Sequence, residues 1–342
     1  MKRVCLLLAM LFPVAVHAVD GAAFIPVKWS TAEPALDPLS PSWLKQAPAT
    51  VAVYPQVSVP PAATPAGVAT VNVRAQYSGK NLALHLEWAD EKPASDRGVG
   101  AFADGAAVQW PVRYGPGVAL PYIRMGHTGA PVALWFWRAD GSVETLAAQG
   151  FGTLTAQVTD GVKAKGAWKD GKWYVVFARA LAASGEYRVS LAPAKLGFAP
   201  VAFATWNGDS AERNGLKRLS SWYALRFERG TANDAYAKQF AAAAPPGNAE
   251  SGKRMVMEKG CAGCHAFPGN AARPAIGPDL TYAGGIHSVS YIMESMTNPS
   301  AVVVPGKGYS MVQDGKQQSI MPPFAGSEAD LRDIVTFLRS LR

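Results

Sequence analysis

Cysteine is scarce: 342 residues contain three, Cys5, Cys261 and Cys264. So few thiols exclude a disulfide-built scaffold. With Cys5 set apart in an amino-terminal apolar run, no second pair exists to complete a four-ligand zinc site. Beyond that first run, the one uncharged stretch longer than the ~20 residues that a bilayer-spanning helix needs, residues 46–73, is broken by five prolines, so no membrane span is expected. Internal repeats are missing, which excludes a solenoid. A mild charge excess gives little ground for a nucleic-acid surface, which would want basic clusters on one face with interleaved aromatics. The formal charge is +8, or +6 without Lys2 and Arg3. A bias of that size suits steering toward an acidic partner surface.

The amino terminus carries a basic Met1-Lys2-Arg3, an apolar Val4 to Val16 and a small-residue Val16-His17-Ala18. That order predicts an export signal cleaved near Ala18 and a periplasmic mature chain. The length favours two domains. Ala241 to Asn248, four small residues followed by Pro-Pro-Gly-Asn, reads as a spacer between them. The expected organisation is a signal at 1–18, a strand-rich domain at 19–240, a linker at 241–248 and a helical domain at 249–342.

The most specific motif is Cys261-Ala262-Gly263-Cys264-His265. Two thiols three residues apart can each form a thioether to a haem vinyl, and the following histidine then lies under the iron as its proximal ligand. A redox dithiol would want a βαβ pattern and would leave His265 without a purpose. Helices are predicted before the motif, Glu250 to Gly260, and at the end, where Ser327-Glu328-Ala329-Asp330 resembles a capping box. Leu331, Ile334, Val335 and Leu338 follow at helical spacing, and Gly252 would allow the two helices to cross closely. A second axial ligand is expected from Met321, on a loop stiffened by Pro322 and Pro323; Met293, Met296 and Met311 are its rivals. With Ile276-Gly277-Pro278-Asp279-Leu280 these pieces resemble a class I cytochrome c domain over residues 249–342. That resemblance implies that the Pro278 carbonyl orients the proximal imidazole and that Leu280 packs the covalent haem c. The chain departs from many relatives at Val256, where they carry an aromatic.

In the first domain, Val71, Val73, Ala75 and Tyr77 alternate before Ser78-Gly79-Lys80-Asn81, and Leu82, Leu84, Leu86 and Trp88 alternate after it, which is a hairpin pattern. Strands are also expected at Trp173 to Phe177, Pro131 to Trp137 and Ala202 to Trp206. The predicted fold is a mainly β antiparallel sandwich joined to an all-α cytochrome c domain. On periodicity alone the sandwich could bind a sugar, a partner or nothing.

Three ordered clusters narrow this: Asp104 to Pro111 with Gln109-Trp110, Met125-Gly126 before Trp135-Phe136-Trp137, and Trp206-Asn207-Gly208 before Lys217 and Trp222. Together they resemble the haem b-binding domain of the gamma subunits of ethylbenzene dehydrogenase, dimethyl sulfide dehydrogenase and related periplasmic molybdenum enzymes. The resemblance implies a non-covalent haem b ligated by Met125 and Lys217. Without it, Met125 would be read as core packing and Lys217 as a solvated charge. His85 and His127 offer a rival ligand pair.

The resulting expectation is a two-haem electron-transfer protein without catalysis of its own. Its partners would be an iron–sulfur and molybdopterin oxidoreductase and a soluble redox carrier. The main alternative is a cytochrome c fused to a carbohydrate- or surface-binding sandwich that holds no haem b. A haem peroxidase ranks last, because nothing marks a distal base.

Overall fold

The alternation at 71–88 folds as read. In the computed structural model, β4 (Thr70–Tyr77) and β5 (Asn81–Ala89) pair antiparallel around the Ser78–Lys80 turn, following β1 (Phe24–Trp29), β2 (Ala49–Ala52) and β3 (Tyr54–Pro55). The structure describes residues 24–58, 62–63, 67–158, 161–231, 236–238, 246–272, 274, 276–304 and 308–342. The signal read at 1–18 and most of the spacer at 241–248 lie outside the described residues.

The ladder continues through β6 (Gly105–Pro111), β7 (Val132–Arg138), β8 (Val143–Ala148), β9 (Thr155–Ala156), β10 (Lys163–Lys169) and β11 (Lys172–Ala180). It ends with β12 (Phe198–Trp206), β13 (Arg218–Leu219) and β14 (Tyr223–Phe227). The main order is β10-β11-β5-β4-β1-β14-β12-β6-β7-β8-β9. One strand joins the two layers: Phe198–Val201 of β12 pairs with β14, while Ala202–Trp206 pairs with β6. Between the layers, Val71, Leu84 and Leu86 from one pack with Trp110 and Trp135 from the other, all fully or almost fully buried. Each such side chain stabilises the fold by roughly 1.5–3 kcal/mol.

Pairing is not wholly antiparallel, because β1 runs parallel to both β4 and β14. Long connections separate β1 from both neighbours in sequence, and only short hairpins oblige strands to reverse.

The second domain begins at α3 (Ala249–Glu258), after the short α1 (Pro41–Leu44) and α2 (Pro193–Leu196) of the first. It continues with a 3-10 turn at Cys261–Gly263, α4 (Ala283–Ile286), α5 (Val289–Thr297) and α6 (Glu328–Ser340). The capping box forms as read: Ser327 Oγ accepts from Asp330 N, and the Asp330 carboxylate accepts from Ser327 N. Gly252 brings α3 against α6 so closely that a Cβ there would lie 2.0 Å from the Asp333 carbonyl oxygen. Val256 is buried among Leu331, Ile334 and Val335.

One element was not expected in a helical domain. Strands β15 (Ser310–Gln313) and β16 (Lys316–Ser319) form a hairpin. Asp314 and Gly315, at φ 51° and 72°, form its turn, and Asp-Gly is a strong two-residue hairpin signal.

The domains touch. Ser58 Oγ donates to the Asp279 carbonyl at 2.8 Å, and the Ser58 carbonyl accepts from Tyr309 OH at 3.2 Å. Ile286 of α4 is buried with Tyr122, Leu219 and Trp222 of the strand-rich domain. No helix among the described residues is long and apolar enough to cross a membrane.

Candidate functional site

Two cavities collect the chemistry-bearing residues. The first, about 630 Å³, is lined by Cys261, Cys264, His265, Pro278, Leu280 and Met321 among others, so the six positions singled out in the second domain meet around one space. His265 Nδ1 lies 2.8 Å from the Pro278 carbonyl oxygen. A carbonyl only accepts, so Nδ1 carries the proton and Nε2 is left as a lone-pair donor. Burial holds the imidazole below its ordinary pKa and therefore neutral, the form that ligates a metal.

Local sequence explains the placement. Gly277 lies flat against the imidazole, where any side chain would collide with it. Asn270, overlooked in the sequence, donates from Nδ2 to the carbonyls of Ala262 and His265 at 2.8 Å each and fixes the turn that bears the thiols. Its signal was its position five residues after the motif histidine, which carries little meaning without the turn geometry. Of the rival methionines, Met296 also reaches this cavity, whereas Met311 stands 52% exposed on β15 and Met293 does not line it. Two thiols, a neutral imidazole and a thioether around one mostly apolar space fit a covalently attached haem.

The second cavity, about 900 Å³, lies in the strand-rich domain and is lined by Met125, Lys217, Leu134, Phe136, Leu146 and Trp206 among others. Met125 sits in the left-handed region at φ 71°. For a residue with a side chain this costs on the order of 1–3 kcal/mol and persists only where surrounding contacts enforce it. They do so here: Gln109 Nε2 donates to Ile123 O at 2.7 Å, Trp222 Nε1 to Pro121 O at 3.0 Å, and Gly150 N to Met125 O at 2.8 Å.

Lys217 is 5% exposed, and among the described residues its Nζ has no hydrogen-bond or ion-pair partner; it lies over the Trp206 ring, 5.3 Å from the centroid. Burial, helped by the Arg124 charge, lowers the amine to about 8. An amine deprived of partners and leaning toward neutrality fits a metal-ligating role far better than a solvated charge. The loop that delivers it is pinned by Trp206 Nε1 to Asn214 O at 3.1 Å, Asn207 N to the Glu212 carboxylate at 2.9 Å, and Gln56 N to Lys217 O at 2.9 Å. Asp104 is fully buried and accepts from Trp173 Nε1, Ala94 N and Gly208 N. Several clustered sequence motifs thus work as brackets for Met125 and Lys217.

The rival histidines lie elsewhere. His85 is fully buried against Trp43, ring centroids 5.4 Å apart, and desolvation lowers it to about 4. His127 Nδ1 accepts from Tyr122 N at 3.1 Å. Neither lines either cavity.

The ethylbenzene dehydrogenase family matches residues 40–161 and 153–218, and the cytochrome c family matches residues 249–342. The chain belongs to the ethylbenzene dehydrogenase family. Its second domain is a cytochrome c. A heme subunit assigned to respiratory nitrate reductase in Haloferax mediterranei is 39% identical over 193 residues, covering 53% of this chain and 67% of its own. Chlorate reductase subunit gamma of Ideonella dechloratans is 34% identical over 200 residues, covering 56% and 80%. Dimethylsulfide dehydrogenase subunit gamma of Rhodovulum sulfidophilum is 32% identical over 164 residues, covering 45% and 59%. A family 9 carbohydrate-binding module from Caldicellulosiruptor kristjanssonii overlaps 62% of this chain and 98% of its own at 11% identity, but its TM-score of 0.36 carries no argument. All three relatives are named as subunits of reductases or dehydrogenases, one a heme subunit and two gamma subunits.

Proposed function

We propose that the chain is a two-haem electron relay, with haem c held by Cys261, Cys264, His265 and Met321, and haem b held by Met125 and Lys217. When bound, these groups supply one-electron redox chemistry. Met125 would offer haem b a thioether and Lys217 an amine that must first lose its proton, and His265 and Met321 would offer haem c an imidazole and a thioether. With two protein ligands for each iron, no site would be left for a substrate, which would suit transfer rather than turnover. Leu134, Phe136 and Leu146 in one cavity and Leu280 in the other would pack against the porphyrin faces.

The observation that carries this reading is Lys217: a buried amine without a partner among the described residues, sharing a large cavity with a strained methionine. A sugar-binding sandwich would have no use for either feature.

The gamma-subunit relatives support docking onto a molybdopterin and iron–sulfur oxidoreductase, with electrons passing between that enzyme and a soluble carrier. Export to the periplasm with cleavage near Ala18 belongs to the same proposal, because thioether attachment of haem is chemistry of exported bacterial proteins.

The test is a pyridine haemochrome spectrum of the purified chain before and after acid–acetone extraction. One extractable haem b and one retained haem c per chain are expected. A chain isolated from haem-replete cells with haem c alone would refute the relay and favour the fused binding module.

A further inference from the structure

The cytochrome cavity is walled in part by the other domain. Tyr122 and Arg124 reach it from the loop that presents Met125, and there they meet His287 and Tyr291 of the second domain. The Tyr122 and His287 rings stack at 5.7 Å with planes 12° apart, and His287 stacks on Tyr291 at 4.6 Å. Arg124 is only 2% exposed. Its Nη1 donates to Tyr122 OH at 2.8 Å, while its buried Nε has no acceptor among the described residues. No carboxylate side chain is among the described residues lining this cavity. A guanidinium stays charged in any protein setting, and burying it without an anion costs several kcal/mol. The site therefore suits an anion that the described residues do not supply.

Resting on the haem c assignment above, the identity of that anion follows from chemistry. Thioethers to Cys261 and Cys264 fix the vinyl edge of the porphyrin, and the carboxylates of the same molecule lie on its two propionates. Lys259, another cation lining the cavity, is two residues from Cys261 and is already 3.6 Å from the Asp330 carboxylate. His287 is 8% exposed, and its ring nitrogens have no hydrogen-bond partner among the described residues.

We propose that Arg124 binds a propionate of haem c, with the His287 ring N–H as a second donor, so that a side chain of the strand-rich domain completes the cofactor site of the cytochrome domain. Arg124 and Met125 are consecutive, yet they line different cavities: Arg124 that of haem c and Met125 that of haem b. Between them the backbone turns through the left-handed φ of Met125. Haem c thereby ties the two domains together, and one dipeptide touches both redox groups.

The experiment is a spectroelectrochemical titration of the full two-haem chain. In Arg124→Gln the uncompensated propionate stabilises ferric iron, so the haem c midpoint should fall by at least 59 mV, a tenfold change in a one-electron equilibrium. Arg124→Lys should recover most of that fall. His287→Phe, which keeps the ring stack and removes the donor, should lower the midpoint by a smaller amount. A haem c midpoint unchanged in both Arg124→Gln and His287→Phe overturns the proposal, whether or not haem b moves. If Arg124→Gln does not accumulate, an unchanged midpoint in His287→Phe is sufficient to overturn it. A wild-type chain lacking haem b would refute the relay but leave this measurement readable, because haem c alone reports it.

Discussion

A methyl group at Gly277 would stand 2.7 Å from Cε1 and 2.9 Å from Nδ1 of His265. Contacts that short force the imidazole to shift, and its bond to Pro278 O would shift with it. Gly277→Ala should therefore cost about 1–3 kcal/mol of stability through overpacking. It should also alter the α band of the covalent haem, because the ligand orientation changes. Denaturant titration and the reduced spectrum check the two effects; an unchanged spectrum would show that the ring tolerates displacement without consequence for the iron.

Lys217 gives the proposed haem b site a proton to lose. Its amine is lowered to about 8, and only the neutral form ligates. Below that pH, affinity for haem b should fall by up to tenfold per unit, while haem c stays attached. The haem-free fold behaves by the same linkage: the folded pKa lies beneath the unfolded value of 10.5, so stability is lowest below about pH 8 and rises as pH climbs toward 10.5. Lys217→Met replaces a buried amine with an apolar side chain. It should raise haem-free stability by roughly 1–4 kcal/mol, as replacing buried charge often does, and flatten the pH dependence of haem b retention. Haem titrations at pH 6, 7 and 8 decide the matter.

Gly126 sits at φ 74°, and a Cβ on it would lie 2.7 Å from the Ala130 carbonyl oxygen. Gly126→Ala should strain the Met125 loop by about 1–3 kcal/mol and lower haem b occupancy without touching haem c attachment. The ratio of b to c bands in the purified variant measures this directly.

The sequence was most legible where chemistry and local geometry coincide. Cys261, Cys264 and His265 needed no fold to be recognised, and the Ser78–Asn81 hairpin and the Ser327 capping box follow from local rules. Met125 and Lys217 were legible only through resemblance, because nothing local distinguishes a strained, cavity-facing methionine from core packing or a desolvated lysine from a surface charge. The Asp314-Gly315 hairpin lies in a domain expected to be all helical, although Asp-Gly is itself a local hairpin signal. Parallel pairing at β1, and the roles of Asn270 and Arg124, depend on contacts between distant segments that periodicity does not encode. Burial of His85 on both faces of β5 was hidden for a related reason: alternation placed it away from the leucines, but not beneath Trp43.

Contact between the domains yields the remaining expectation. Ser58 donates to Asp279 and accepts from Tyr309, Tyr54 lies 6.0 Å from Tyr282 between ring centroids, and Ile286 is fully buried at the junction. An apolar and hydrogen-bonded junction of this kind does not need a covalent tether to persist. Inserting a protease site within 241–248 and cutting it should leave both fragments co-eluting on size exclusion, with haem c reduction kinetics close to those of the intact chain. Ile286→Asp places a charge without a partner in that junction and should release the fragments, since an unpaired buried carboxylate costs several kcal/mol. Fragments of the parent that separate on cutting would show instead that the linker alone keeps the two domains together, and electron exchange between them would then depend on diffusion of the tethered cytochrome.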